Sequence, residues 1–236
     1  MDKATFIKKA ALMQPLYVAS DAVKQQLARV NLIAVVGPTG VGKTTIMEHS
    51  GLPFVTSDVT RQPRKGEDNG VDYNFRTDYD TIMQELVAGE FVQYVVNPNG
   101  EFYGTKASSY PMNGPCTLSI VAIAVPSFER LGFQVVVPVY IIPSTYHEWM
   151  RRIQTHRDKD LPERLVEAKT SLETALATVD FKFIINDDLL AACETFREIA
   201  HGKTDGSAGQ AKARQAALHL LTGIEDSNLV RSAGQL

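Results

Sequence analysis

Gly37-Pro38-Thr39-Gly40-Val41-Gly42-Lys43-Thr44 satisfies the pattern GxxxxGK[ST] in full. It follows a short apolar run, Leu32–Val36, whose length and β-branched content predict a buried parallel strand. It opens a segment, Lys43–His49, that reads as a helix. In that setting glycines let successive backbone N–H groups point into one concavity, and the helix start adds partial positive charge. Residues Gly37, Pro38, Thr39, Gly40, Val41, Gly42, Lys43, Thr44 and Thr45 are therefore the candidate ATP-binding set. Lys43 is placed to reach the β- and γ-phosphates, and the Thr44 hydroxyl to ligate Mg²⁺. The full pattern in this context outweighs a reading as a mere tight strand-to-helix turn. It leaves the acceptor open, because motor proteins, GTPases and small-molecule kinases share the loop.

Outward from the loop the chain alternates as α/β proteins do. Residues 3–29 read as one or two helices interrupted near Pro15. Helices are predicted at Thr77–Val87, Tyr146–Thr155, Pro162–Thr178 and Asp188–His201. Strands are predicted at Phe91–Val96, Glu101–Thr105 and Phe181–Ile185, with Thr117–Ala124 and Gln134–Ile142 as central ones. A further helix is expected at Gly209–Leu221, followed by a frayed polar end.

A net charge of −3 over 236 residues provides no global basic field, so nucleic acid is not an expected partner. Cys116 and Cys193 have no metal-ligand spacing and read as buried thiols of a reducing compartment. No apolar run approaches the ~18 residues of a membrane span, and the N-terminus lacks the apolar stretch of a signal peptide. The expectation is a cytoplasmic protein without a membrane partner.

The second informative stretch is Thr60-Arg61-Gln62-Pro63-Arg64-Lys65-Gly66-Glu67-Asp68-Asn69-Gly70-Val71-Asp72-Tyr73-Asn74-Phe75. Arg61 and Arg64 around a proline make a cationic fork suited to a phosphate, with Tyr73 and Tyr103 as neutral donors. Taken alone, a solvated charged loop accounts for it as well.

This wording resembles the guanylate kinase family: TRxPRxGExNGxDYxF at Thr60–Phe75, GEF at Gly89–Phe91 and FYGT at Phe102–Thr105. Pro143-Ser144, Glu163-Arg164-Leu165 and Ile184–Leu189 are similar too. The resemblance implies an α/β, three-layer P-loop NTPase fold with a parallel sheet core, an inserted monophosphate-binding subdomain and a short lid. The implied organisation is a helical extension at 1–30, a guanylate kinase-like domain at 31–202 and a C-terminal extension at 203–236. The insertion spans about 56–110 and the lid about 155–164. By the same resemblance Arg61, Arg64, Tyr73 and Tyr103 hold the acceptor's phosphate, Ser57, Gln93 and Thr105 meet its base, and Asn186 lies near the donor's adenine. Lys43, Arg64, Arg157 and Arg164 become the catalytic set that stabilises the transferring phosphoryl group.

Three departures qualify the resemblance. Gln93 stands where the family normally has a glutamate; one carboxamide offers one acceptor and one NH₂, not the two acceptors guanine's N1–H and N2 amino group call for. Ile120 and Ala122 replace aspartates at the end of an apolar strand. The lid between Arg157 and Arg164 is several residues short. The leading expectation is an ATP-dependent nucleoside monophosphate kinase using Mg²⁺, with GMP or dGMP as first acceptor and small-molecule nucleotides as partners. The alternatives are a phosphoprotein-binding scaffold module and a kinase of a non-nucleotide phosphate. Oligomeric state is left open.

Overall fold

In the computed structural model residues 1–64, 66–154, 161–203 and 207–227 are described, and the elements run as follows. Helices α1 (Lys3–Met13) and α2 (Asp21–Leu27) precede strand β1 (Val30–Val36) and helix α3 (Lys43–His49). Then come β2 (Ser57–Val59), β3 (Tyr73–Phe75), α4 (Tyr79–Val87), β4 (Phe91–Val96), β5 (Phe102–Lys106) and β6 (Gly114–Ser119). The chain closes with α5 (Val125–Glu129), β7 (Val135–Ile142), α6 (Tyr146–Gln154), α7 (Leu161–Ala177), β8 (Lys182–Ile185), α8 (Leu189–Ala200) and α9 (Ser207–Asp226).

These elements divide into two compact units. One comprises Leu32–Leu52, Thr117–Glu129 and Val136–Leu236. Its parallel four-stranded sheet has the order β6-β1-β7-β8. Leu32–Val36 and Val139–Ile142 are fully buried, as continuous apolar runs in a sheet covered on both faces must be. The P-loop leaves the end of β1, an interior strand.

Two expectations are corrected in this unit. The run Thr117–Ala124 is not one central strand: β6 begins at Gly114, ends at Ser119 and lies on the sheet edge. Ala122–Ala124 instead forms a 3₁₀ turn leading into α5. Pro126 stands in the first turn of α5, where proline is accepted because its missing N–H has no intrahelical partner to lose. The C-terminal helix is longer than expected, because its buried face (Ala213, Ala217, Leu220, Ile224) continues past Leu221. The lid residues 155–160, Arg157 among them, and the tail 228–236 lie outside the described residues.

The other unit comprises Met1–Asn31, Pro53–Cys116 and Arg130–Val135. Its mixed sheet runs β3-β2-β5-β4, with β2 parallel to β3 and β5 antiparallel to both β2 and β4. The N-terminal helices are built into this unit. Asp2 caps α1 by accepting from Thr5 N–H at 2.9 Å, and Pro15 in a 3₁₀ turn interrupts the helical run. Phe6 from α1 is fully buried and meets Phe102 edge-on, with ring centroids 5.5 Å apart. Phe91 and Tyr94 complete the cluster, each with its ring centroid 5.3 Å from that of Phe102. In the same unit the buried Asp58 carboxylate accepts from Arg76 at 2.6 Å and from Asn74 at 2.8 Å. That pairing ties β2 to the segment after β3 and satisfies a charge that would be costly alone.

Truncating Phe6 to alanine is expected to lower unfolding stability by about 3–5 kcal/mol in urea titrations, the usual cost of deleting a buried aromatic ring. Leu12, 70% exposed on the same helix, should change stability by less than about 0.5 kcal/mol when replaced by alanine. Equal effects would mean that α1 does not contribute to the aromatic core.

Candidate functional site

The glycine loop is shaped by close backbone approaches. Gly37 has φ +149°, and a Cβ there would run into the Ile141 carbonyl oxygen of β7. Gly42 has φ +88°, and a Cβ there would lie 2.5 Å from Asn186 Nδ2. Both positions require glycine for space as well as for conformation.

Side chains then take hold of the loop's carbonyls. Lys43 Nζ donates to the Gly37 and Pro38 oxygens at 2.6 and 2.9 Å. The indole Nε1–H of Trp149 donates to Thr39 O at 2.8 Å, and Asn186 Nδ2 donates to Val41 O at 2.8 Å. The Gly42 carbonyl accepts from Ile46 N–H at 3.0 Å, beginning α3. Among the described residues no peptide is cis, and across a trans peptide each carbonyl points opposite to the next residue's N–H. The amides of Thr39, Gly40, Gly42 and Lys43 are thereby turned away from these donors. Such an array of amides suits an anion.

The electrostatics agree with that reading. Burial lowers the Lys43 pKa to about 8, opposed by the Glu167 carboxylate. A bound polyphosphate would supply the negative charge that this ammonium lacks. Thr44 is exposed in the first turn of α3 beside the half-buried Thr45. Asn186, expected near an adenine, is buried with its amide committed to the loop. Arg164 is half-buried in the first turn of α7.

In the other unit the structure brings Arg61, Tyr73 and Tyr103 together. The Arg61 guanidinium lies over the Tyr73 ring, 4.7 Å from its centroid, and its Nε donates to Tyr103 Oη at 3.2 Å. Glu67 grips its far end in a bidentate pair at 2.6 and 2.7 Å, and Gln62 O accepts a further N–H at 3.0 Å. Four of the five guanidinium N–H groups are thus engaged, and the fifth, on Nη2, lies on the Nε edge that carries Tyr103. Arg61 holds the Glu67 carboxyl below the usual carboxylate range, and Glu67 in turn raises the Arg61 pKa. The Arg64 side chain is exposed, and its backbone N–H donates to Glu67 at 2.7 Å.

The expected base-reading residues lie in the same sheet. Gln93 and Thr105 are cross-strand partners of β4 and β5, with Gln93 Nε2 3.5 Å from Thr105 Oγ1. Thr105 Oγ1 also bonds Tyr110 Oη at 2.9 Å, and burial raises the Tyr110 pKa so that its hydroxyl stays protonated. Ser57 begins β2 in register with Tyr73. Ala122 is buried, and no carboxylate follows β6 before α5.

Sequence reasoning missed three residues. Glu67 sat inside the quoted stretch but read as a solvated charge; its spacing from Arg61 could have flagged an ion pair. Trp149 is the chain's only tryptophan, and its buried N–H needs an acceptor. Tyr110 gave no local signal.

A strand–glycine loop–helix whose carbonyls are held back, set in a parallel α/β sheet, defines a P-loop nucleotide-binding protein. The guanylate kinase family profile matches residues 29–202, and the chain belongs to that family. It is 31% identical to the guanylate kinase of Sus scrofa over 173 residues, covering 67% of this chain and 85% of that protein. It is also 31% identical to the Homo sapiens guanylate kinase, covering 70% and 90% of the two chains. The crystal structure of guanylate kinase from Anaplasma phagocytophilum shares the fold, with TM-score 0.53, 23% identity and coverage of 81% and 95%.

Two outcomes follow from this geometry. In the free protein Lys43 is charged below pH 8 and must take up a proton to bind a polyphosphate above it. Affinity for an ATP analogue, measured calorimetrically from pH 7.5 to 9.5, should therefore be level below 8 and fall by up to about tenfold per unit above it. The Lys43→Arg variant stays charged and should show no such fall. Separately, Glu67→Gln should raise the acceptor KM by about tenfold or more, by loosening Arg61, with the ATP KM within about twofold. A lower acceptor KM in that variant would show that Glu67 competes with the acceptor instead of orienting Arg61.

Proposed function

We propose that the protein is an ATP-dependent nucleoside monophosphate kinase that transfers the γ-phosphate of ATP to GMP or dGMP. The single observation that carries this reading is the intact, tied-back P-loop with Lys43, in a chain of the guanylate kinase family that also assembles Arg61, Tyr73 and Tyr103. On this reading the loop amides and Lys43 bind the triphosphate, and Arg61, Arg64, Tyr73 and Tyr103 hold the acceptor's phosphate. Arg157 and Arg164 add positive charge as the phosphoryl group moves between oxygens. Phosphoryl transfer gains chiefly from such positioning and charge stabilisation. Asn186 supports the donor site by fixing the loop through Val41.

Mg²⁺ fits the donor set. Thr44 is exposed in the first turn of α3, and among the described residues there is no cluster of three or more His, Cys, Asp or Glu side chains to cage a metal. A hydroxyl plus phosphate oxygens and water is how Mg²⁺ is often held. When bound it would neutralise charge on the β- and γ-phosphates. Among the described residues no helix is long and apolar enough to cross a membrane, and the two cysteines are free and buried. Both are compatible with a cytoplasmic enzyme.

The Gln93–Thr105–Tyr110 chain favours a second reading, of acceptor choice. The neutral Gln93 edge complements a base with one donor and one acceptor, such as adenine, and a good bidentate pair is worth roughly 1–3 kcal/mol. Guanine selectivity should accordingly be relaxed, and Gln93→Glu should raise kcat/KM for GMP about tenfold. The scaffold-module alternative is disfavoured by the retained Lys43 and Thr44, and a non-nucleotide acceptor would leave Gln93 and Thr105 without a ligand.

A coupled ADP-release assay over GMP, dGMP, AMP, dAMP, CMP and UMP tests the proposal. We expect turnover with at least one purine monophosphate and its loss in Lys43→Ala. No turnover with any of the six would overturn it.

A further inference from the structure

Helix α9 lies beyond residues 29–202, where the family match ends, yet it is fastened to the nucleotide-binding unit. It packs on α7 and β8 through Ala213, Ala217, Leu220 and Ile224, all buried. Gln210 completes the exposed edge of β8: its Oε1 accepts from Phe183 N–H at 2.9 Å and its Nε2 donates to Phe183 O at 3.2 Å. One carboxamide thus takes the place of a missing neighbouring strand. Arg214 donates to Leu176 O at the end of α7, and Lys169 pairs with Glu225 at 3.2 Å.

Near its C-terminal end α9 meets α6. At Gly223 a Cβ would lie 2.6 Å from Tyr146 Cβ, so the two helices touch where a side chain would not fit. The Tyr146 ring stands edge-on to the Trp149 ring at 6.3 Å between centroids. Trp149 is fully buried, and its indole N–H ends on the Thr39 carbonyl of the P-loop. One turn further along α6, Ile153 lies 3.4 Å from where a Cβ on Gly40 would be. A continuous set of contacts therefore runs from the C-terminal helix through Tyr146 and Trp149 to the loop.

We propose that Trp149 is a positioning residue for the triphosphate and that α9 braces it through Gly223 and Tyr146. This rests on the P-loop binding ATP. The Trp149 hydrogen bond holds the Thr39 carbonyl away from the phosphates, which keeps the Gly40 amide turned toward them. Losing it leaves that peptide free to rotate, so binding must order the loop. The cost falls on the donor and not on the acceptor.

The test uses the full chain. Calorimetry gives Kd for a non-hydrolysable ATP analogue and for GMP in wild type, Trp149→Phe and Gly223→Ala, well below each protein's Tm. Trp149→Phe should weaken analogue binding about three- to tenfold, the range of one lost hydrogen bond, with the GMP Kd within twofold. Gly223→Ala keeps the only tryptophan, so it should both shift the emission of Trp149 without ligand and weaken analogue binding. Analogue binding within twofold of wild type in both variants, or an equal loss for analogue and GMP, would overturn the proposal. If either variant does not fold, the other supplies the same comparison. Failure of the wild type to bind the analogue at all would instead strike the kinase reading itself.

Discussion

A loop that binds anions through its backbone must keep its own carbonyls away from the ligand, and the nucleotide-binding unit is organised around that constraint. Every peptide turned outward needs an acceptor–donor pair on its far side. Lys43, Trp149 and Asn186 supply those donors from α3, α6 and the segment after β8. Each therefore has to be delivered by a buried element. That is why β1 and β7 are apolar on both faces, and why Gly37 must tolerate the Ile141 carbonyl against it. The loop is preorganised by the fold, and preorganised dipoles need no rearrangement when charge arrives.

The other unit meets a similar problem with a charged group. A guanidinium proposed to receive a phosphate has to be aimed before the phosphate is present. Glu67 fixes one end of Arg61, Tyr73 one face and Tyr103 one edge. The ion pair is largely shielded from solvent, so the cost of desolvating both charges offsets much of their attraction, and its value lies in geometry. The aromatic cluster around Phe102, completed by Phe6 from the N-terminal helix, keeps β4 and β5 in register, and so sets Gln93 beside Thr105.

Much of this was legible in the sequence because local rules agree with the fold. The glycine pattern, the strand before it and the helix after it all fall where expected, as do α4, β4, α6, α7 and α8 to within a residue or two. The end of β6 was not legible, since an unbroken apolar run carries no period that separates a strand from a turn. The full length of α9 exceeds the expected Gly209–Leu221, since glycine ordinarily weakens a helix interior, whereas Gly223 lies where α9 meets Tyr146 and a Cβ would not fit. In the site, the residues proposed to hold phosphate are singled out in the sequence by their types and spacing. Trp149, Glu67 and Tyr110 act by orienting other groups through contacts distant in sequence or hidden in a charged run. Asn186 shows the same limit from the other side: its position was found, but its contact with Val41 was not.

The central claim is transfer between two bound phosphates, as distinct from ATP binding or hydrolysis alone. ³¹P NMR of a mixture of ATP, GMP, Mg²⁺ and the full-length protein follows each phosphate directly. The account predicts that GDP β-phosphate resonances grow as the ATP γ-phosphate declines, with little inorganic phosphate, and that Lys43→Ala abolishes the change. Conversion of ATP to ADP and inorganic phosphate without GDP, or unaltered transfer in Lys43→Ala, would contradict it.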